Sequence, residues 1–108
     1  MIDDKLFCLL TGLSTSEHAN PEFCKTTKQG PEYSGKVSVT AFGKTCQSWD
    51  SQSPHSHTQD EQVGNFPEKS LENAHNYCRN PNGKPNGPWC YTTDPASRWE
   101  YCKVPVCK

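Results

Sequence analysis

The sequence is short of apolar residues. Hydrophobic residues make up 31% of the 108 positions, and the mean hydropathy is −0.91. A core of Leu, Ile and Val alone does not hold so polar a chain together. No apolar run approaches the length that spans a bilayer. Charge of one sign is missing too: 11 basic residues face 12 acidic ones, with no like-charge block. That balance excludes a nucleic-acid surface. No Cys-x-x-Cys pair occurs, and the closest cysteines are five positions apart. Zinc sites need short paired spacings, so zinc stands well behind disulfides. No Gly-x-Ser-x-Gly element offers a nucleophile, although histidines, acids and serines are present. No Asn-x-Ser/Thr sequon appears, which removes one mark of secretion without arguing against secretion.

What the chain has is cysteine: seven in 108 residues. A reducing cytosol would not let them pair, so an oxidising compartment follows. Four of them, Cys78, Cys90, Cys102 and Cys107, lie in the stretch from Asn76 to Cys107. Tyr77, Trp89, Tyr91 and Tyr101 each adjoin a cysteine, and Trp99 stands three positions from Cys102. Such crowding predicts a core of cystine sulfur and ring faces. Trp89-Cys90-Tyr91-Thr92 and Arg98-Trp99-Glu100-Tyr101-Cys102 flank Asp94-Pro95, a turn opener, and predict a hairpin. Strand alternation places Trp89 and Tyr91 opposite Cys90, and Trp99 and Tyr101 opposite Cys102. The sulfur side is expected to face the core, which leaves the aromatic side for solvent.

The remaining segments are loops. Residues 1–23 contain the most apolar run, Leu6 to Leu13, behind Asp3 and Asp4. They read as a poor secretory leader or as upstream linker sequence. Cleavage after such a leader would remove Cys8 and leave an even six cysteines. Residues 24–46 look extended, with turns at Gly30-Pro31 and Ser34-Gly35 and a short strand over Lys36–Thr40. Residues 50–76 read as a polar surface loop anchored at Phe66-Pro67, with no helix of useful length.

Six cysteines at 24, 46, 78, 90, 102 and 107 leave their pairing open when counted alone. Their spacing resembles that of a kringle domain. So do Tyr33-x-Gly35, Gly43-x-x-Cys46-Gln47-x-Trp49, Pro54-His55-x-His57, Asn76-Tyr77-Cys78-Arg79-Asn80-Pro81, Gly87-Pro88-Trp89-Cys90-Tyr91 and Arg98-Trp99-x-Tyr101-Cys102, in kringle order. The resemblance covers residues 24–107, to plasminogen-like kringles and to those of orphan receptor tyrosine kinases alike. It implies a small disulfide-rich domain, mostly loops with short antiparallel strands. It further implies the pairs Cys24–Cys107, Cys46–Cys90 and Cys78–Cys102.

Kringles are binding modules, and many hold lysine side chains. The resemblance implies an aromatic trough at Trp89, Tyr91 and Trp99, with Tyr101 close by and Arg98 as a cation. The anionic centre is missing: Asn82 and Lys84 stand where lysine binders carry two aspartates. Ser56 stands where some of them have a basic residue. A lysine ammonium would meet Lys84, a like charge that costs roughly 1–4 kcal/mol at a few Å. Trp49 is read as core. Arg79 and Glu100 are read as hydrogen-bonded structural charges, and His55-x-His57 lacks a third metal ligand.

The reading is a non-catalytic, monomeric extracellular module, secreted or part of an ectodomain. It needs no cofactor and no metal, and it neither binds nucleic acid nor inserts into a membrane. It takes a protein partner through the Trp89–Trp99 face and binds free lysine weakly or not at all. The alternative is a structural spacer without its own ligand in a mosaic receptor or protease zymogen. A free-standing secreted protein is a third form, if the first residues are a leader. Because six cysteines pair among themselves, Cys8→Ser should leave the thermal midpoint of residues 24–107 unchanged. A drop of many degrees in a calorimetric scan would mean that Cys8 closes a structural loop.

Overall fold

The computed structural model describes residues 23–108. The apolar run at Leu6–Leu13, Cys8 and the leader reading lie outside these residues. Regular structure is sparse. In chain order come a 3-10 helix at Gln59–Asn65, helix α1 at Leu71–Ala74, strand β1 at Trp89–Tyr91 and strand β2 at Trp99–Tyr101. The two strands pair antiparallel with Trp89 opposite Tyr101, Cys90 opposite Glu100 and Tyr91 opposite Trp99. Asp94 turns the chain between them, its carbonyl accepting from the Ser97 N–H at 3.0 Å.

Three disulfides join Cys24 to Cys107, Cys46 to Cys90 and Cys78 to Cys102. They close separations of 83, 44 and 24 residues. In the chain-entropy account each stabilises the fold by about 3–5 kcal/mol, which offsets the scarcity of apolar side chains. The inner two cystines touch, with Cys46 Sγ 3.8 Å from Cys78 Sγ. Their four sulfurs lie within 4.8 Å of one another and are bonded in pairs.

Rings pack around the sulfurs. Trp49 meets Phe66, Trp89 and Tyr91 edge-on, at centroid distances of 5.0, 5.1 and 5.7 Å. All four are buried. Such edge-to-face pairs add to the burial of ring area. Trp49 is therefore core, as its place beside Cys46 predicts. Its indole N–H donates to the Tyr77 carbonyl at 2.6 Å.

Three expectations change. Lys36–Thr40 is not a strand: only Val39 pairs, in an isolated bridge to Thr45. The polar loop contains two short helices. Ser70 caps the second, its hydroxyl accepting from the Asn73 N–H at 3.1 Å. The hairpin also has no dry side and wet side. Trp89 and Tyr91 are as buried as Cys90, because Trp49 arrives from the preceding loop and lies against both.

Arg79 is buried in the core, 1% exposed. Its Nη1 donates to the carbonyls of Gly35 and Cys78 at 2.8 and 2.7 Å, and Nε and Nη2 reach the Glu68 carboxylate. Tyr33 and Tyr77 lie beside the guanidinium, 5.5 and 5.4 Å from centroid to carbon. The one side chain thus ties three distant segments. Arg79→Ala strands a carboxylate and two carbonyls, and breaking a buried pair from one side costs about 3–5 kcal/mol. The denaturation midpoint in urea should fall accordingly. A shift below about 1 kcal/mol would show that Glu68 simply turns to water.

Candidate functional site

The hairpin projects Trp99 and Tyr101 to the surface. Trp99 is 36% exposed and Tyr101 half-buried, and their rings meet edge-on at 5.1 Å. Trp89 lies beneath Trp99 at 5.7 Å with only 2% of its surface open, and Tyr91 adjoins it at 5.1 Å. The four trough residues are therefore contiguous, but solvent reaches chiefly Trp99 and Tyr101.

Tyr91 is held from several sides. His57 stacks on its ring at 4.8 Å, and the Arg98 guanidinium carbon lies 5.1 Å from its centroid. Gln59 donates to its hydroxyl at 3.1 Å. The Trp89 indole N–H and the Gln59 amide oxygen are buried without hydrogen-bond partners. His57 accepts the Gln59 N–H at Nδ1 and bonds the Ser51 carbonyl at Nε2, which fixes the neutral tautomer with Nε2–H donating. His55 bonds the Asp94 carbonyl through Nε2. Both histidines serve the architecture of the loop, and His57 holds up the ring of Tyr91.

The unforeseen participant is Lys84. Its ammonium nitrogen lies 4.0 Å from the Trp99 centroid and 5.1 Å from that of Trp89. Asn80 makes this possible. Its amide donates to the Lys84 carbonyl at 2.9 Å while its oxygen accepts the Lys84 N–H at 2.8 Å. The loop between them is thereby closed and Lys84 aimed back over the hairpin. Gly83 turns its apex at a φ of 67°, a conformation that favours glycine. Sequence reasoning treats Lys84 as a repelling charge; its position on the ring depends on how this loop closes.

Charge around the trough is positive. Among the described residues neither Lys84 nor Arg98 forms an ion pair. Glu100, between Trp99 and Tyr101, points to the other face of the strand. There Thr40 and Ser97 donate to its two oxygens at 2.6 and 2.8 Å. The Thr40 hydroxyl chiefly holds its carboxyl below the usual range; desolvation opposes this, and the Ser97 hydroxyl adds to the lowering. Lys44 pairs with Asp94 at 2.9 Å and lowers that carboxyl likewise. Asn82 is exposed. A further exposed ring, Phe42, is 84% open at the tip of a turn whose Ala41 N–H donates to Tyr101 at 2.9 Å. Its place in a tight Thr40–Lys44 turn is the only sequence signal for it.

Three cystines, one short hairpin and a surface tryptophan define a disulfide-stapled module. The kringle-domain family model matches residues 22–107, and the chain belongs to that family. Kringle domains are in general protein-binding, non-catalytic and extracellular. The disulfides agree with the pairing the resemblance implies. Among the described residues no helix is long and apolar enough to cross a membrane.

Lys84→Ala should uncover Trp99. With Trp49 and Trp89 buried, acrylamide quenching of tryptophan emission should rise. Stability should change by only the ~0.5–1 kcal/mol of an exposed cation–π contact. Unchanged quenching would place the ammonium elsewhere in solution.

Proposed function

We propose that this domain, taken as residues 24–107, is a non-catalytic extracellular module that binds a protein partner through the Trp99–Tyr101 face. Trp89 and Tyr91 support that face from below, and Arg98 borders it. We further propose that the family's lysine ligand is not taken. The observation that carries this is the Lys84 ammonium at 4.0 Å from the Trp99 centroid, where a ligand ammonium would have to compete with it. A tethered group competes at an effective concentration of the order of mM. Asn82 offers an incoming cation a neutral amide, and Lys84 adds repulsion. An exposed tryptophan and half-buried tyrosine, with no covering chain segment among the described residues, suit a protein surface. The module belongs, on this reading, to a longer mosaic protein.

The test is a titration with 6-aminohexanoate followed by tryptophan fluorescence. The unmodified domain should bind very weakly or not at all. Asn82→Asp with Lys84→Asp should recover binding, each carboxylate contributing about 1 kcal/mol, with Lys84→Asp the larger single change because it also empties the ring face. Tight binding by the unmodified domain would overturn the proposal. The spacer alternative separates through Trp99→Ala in the parent protein: a spacer keeps all its partners.

A further inference from the structure

We propose that Asn82 is a site of spontaneous deamidation, and that its conversion sets a carboxylate beside Lys84 and loosens the cap on Trp99. Two Asn-Gly pairs stand in this loop, Asn82-Gly83 and Asn86-Gly87. In such a pair the glycine nitrogen attacks the asparagine side-chain carbonyl carbon, and the missing glycine side chain leaves the approach open. The new C–N bond closes a five-membered imide. The Cγ–Nδ2 bond breaks, and ammonia leaves with the proton of the glycine amide. Water from solvent then opens the imide at either carbonyl, giving aspartate or isoaspartate, and the carboxyl releases its proton at neutral pH.

The two pairs differ in their surroundings. Asn82 and Gly83 are both exposed at the loop apex, and a Cβ built on Gly83 meets nothing within 4 Å. The Gly83 N–H is held only by a long 3.4 Å bond to the Asn80 carbonyl. No hydrogen bond engages the Asn82 side chain among the described residues. Gly87 is buried instead, with the Lys25 Nζ 2.6 Å from where its Cβ would stand and the Lys28 carbonyl oxygen at 3.4 Å. That packing hinders the ring closure Asn86 would need. Asn80 is followed by Pro81, which has no amide proton, and both ends of its own amide are bonded. Asn82 is therefore the reactive member of the loop, and Asn86 an internal comparison.

The product matters because of where it forms. The ammonium two residues on lies over Trp99 and forms no ion pair among the described residues. A carboxylate at position 82 competes for that ammonium. The ring face then opens with the age of the molecule and the pH it has met. This consequence rests on the reading of Trp99 as the binding surface; the chemistry at Asn82 does not.

The test incubates the folded domain from neutral to mildly alkaline pH and maps its peptides by mass spectrometry. Position 82 should convert from amide to acid first, faster as pH rises because the attacking nitrogen must lose its proton. Asn86 should lag several-fold, and Asn82→Gln should remain unconverted there. Conversion of Asn86 as fast as Asn82, or an intact Asn82 when the reduced, unfolded chain has already converted, overturns the assignment. In the Asn82→Asp variant the Trp99 indole N–H resonance should move toward its position in Lys84→Ala. An unmoved resonance overturns the loosening. A null 6-aminohexanoate titration of the double-acid variant would count against the Trp99 reading yet leave the mass shift at Asn82 standing, so the two fail separately.

Discussion

The contact between the two inner cystines is the constraint on which the rest depends. With Cys46 Sγ and Cys78 Sγ 3.8 Å apart, two loops and both strands of the hairpin are pinned at one point. A domain with 31% hydrophobic residues has no other way to place so few apolar groups in register. Once pinned, the hairpin presents Trp89 and Tyr91 to Trp49, and Trp49 draws in Phe66. The aromatic cluster is thus a consequence of the cross-links. It in turn supplies the rigid floor on which Trp99 stands.

The site is built by polar loops, not by the core. Asn80 shapes the Lys84 loop by bonding both its backbone ends, and Asn80 is itself buried. Gln47 does the same for the His55 segment, accepting the His55 N–H at 3.0 Å and donating to two carbonyls at 2.9 Å. Buried amides of this kind are costly unless satisfied, and these are satisfied. They hold irregular backbone as firmly as a strand ladder would.

How much of this was legible in the sequence depends on the range of the interaction. The hairpin was legible, since Asp94-Pro95 and the flanking aromatics are local signals. The cystine pairing came with the family resemblance, not from counting cysteines. Arg79 and Trp49 were legible as structural residues from their neighbours. The burial of Trp89 was not, because the ring that covers it belongs to a distant loop. Helix α1 was not legible, because four residues are too few for periodicity to register. Lys84 was visible as a charge, while its seat on Trp99 depends on a loop closure that no local pattern encodes.

The outermost cystine has a mechanical meaning. Cys24 and Cys107 stand with Cα atoms 5.0 Å apart, braced by Lys25 N–H to Pro105 and Cys107 N–H to Lys25. The chain enters and leaves the fold at one place. Tension applied to the two ends passes directly through this covalent link and does not travel round the loops. The domain therefore hangs beside the line of force as a pendant. A pull that would unravel an ordinary domain of this size leaves the Trp99 face and its loops unloaded.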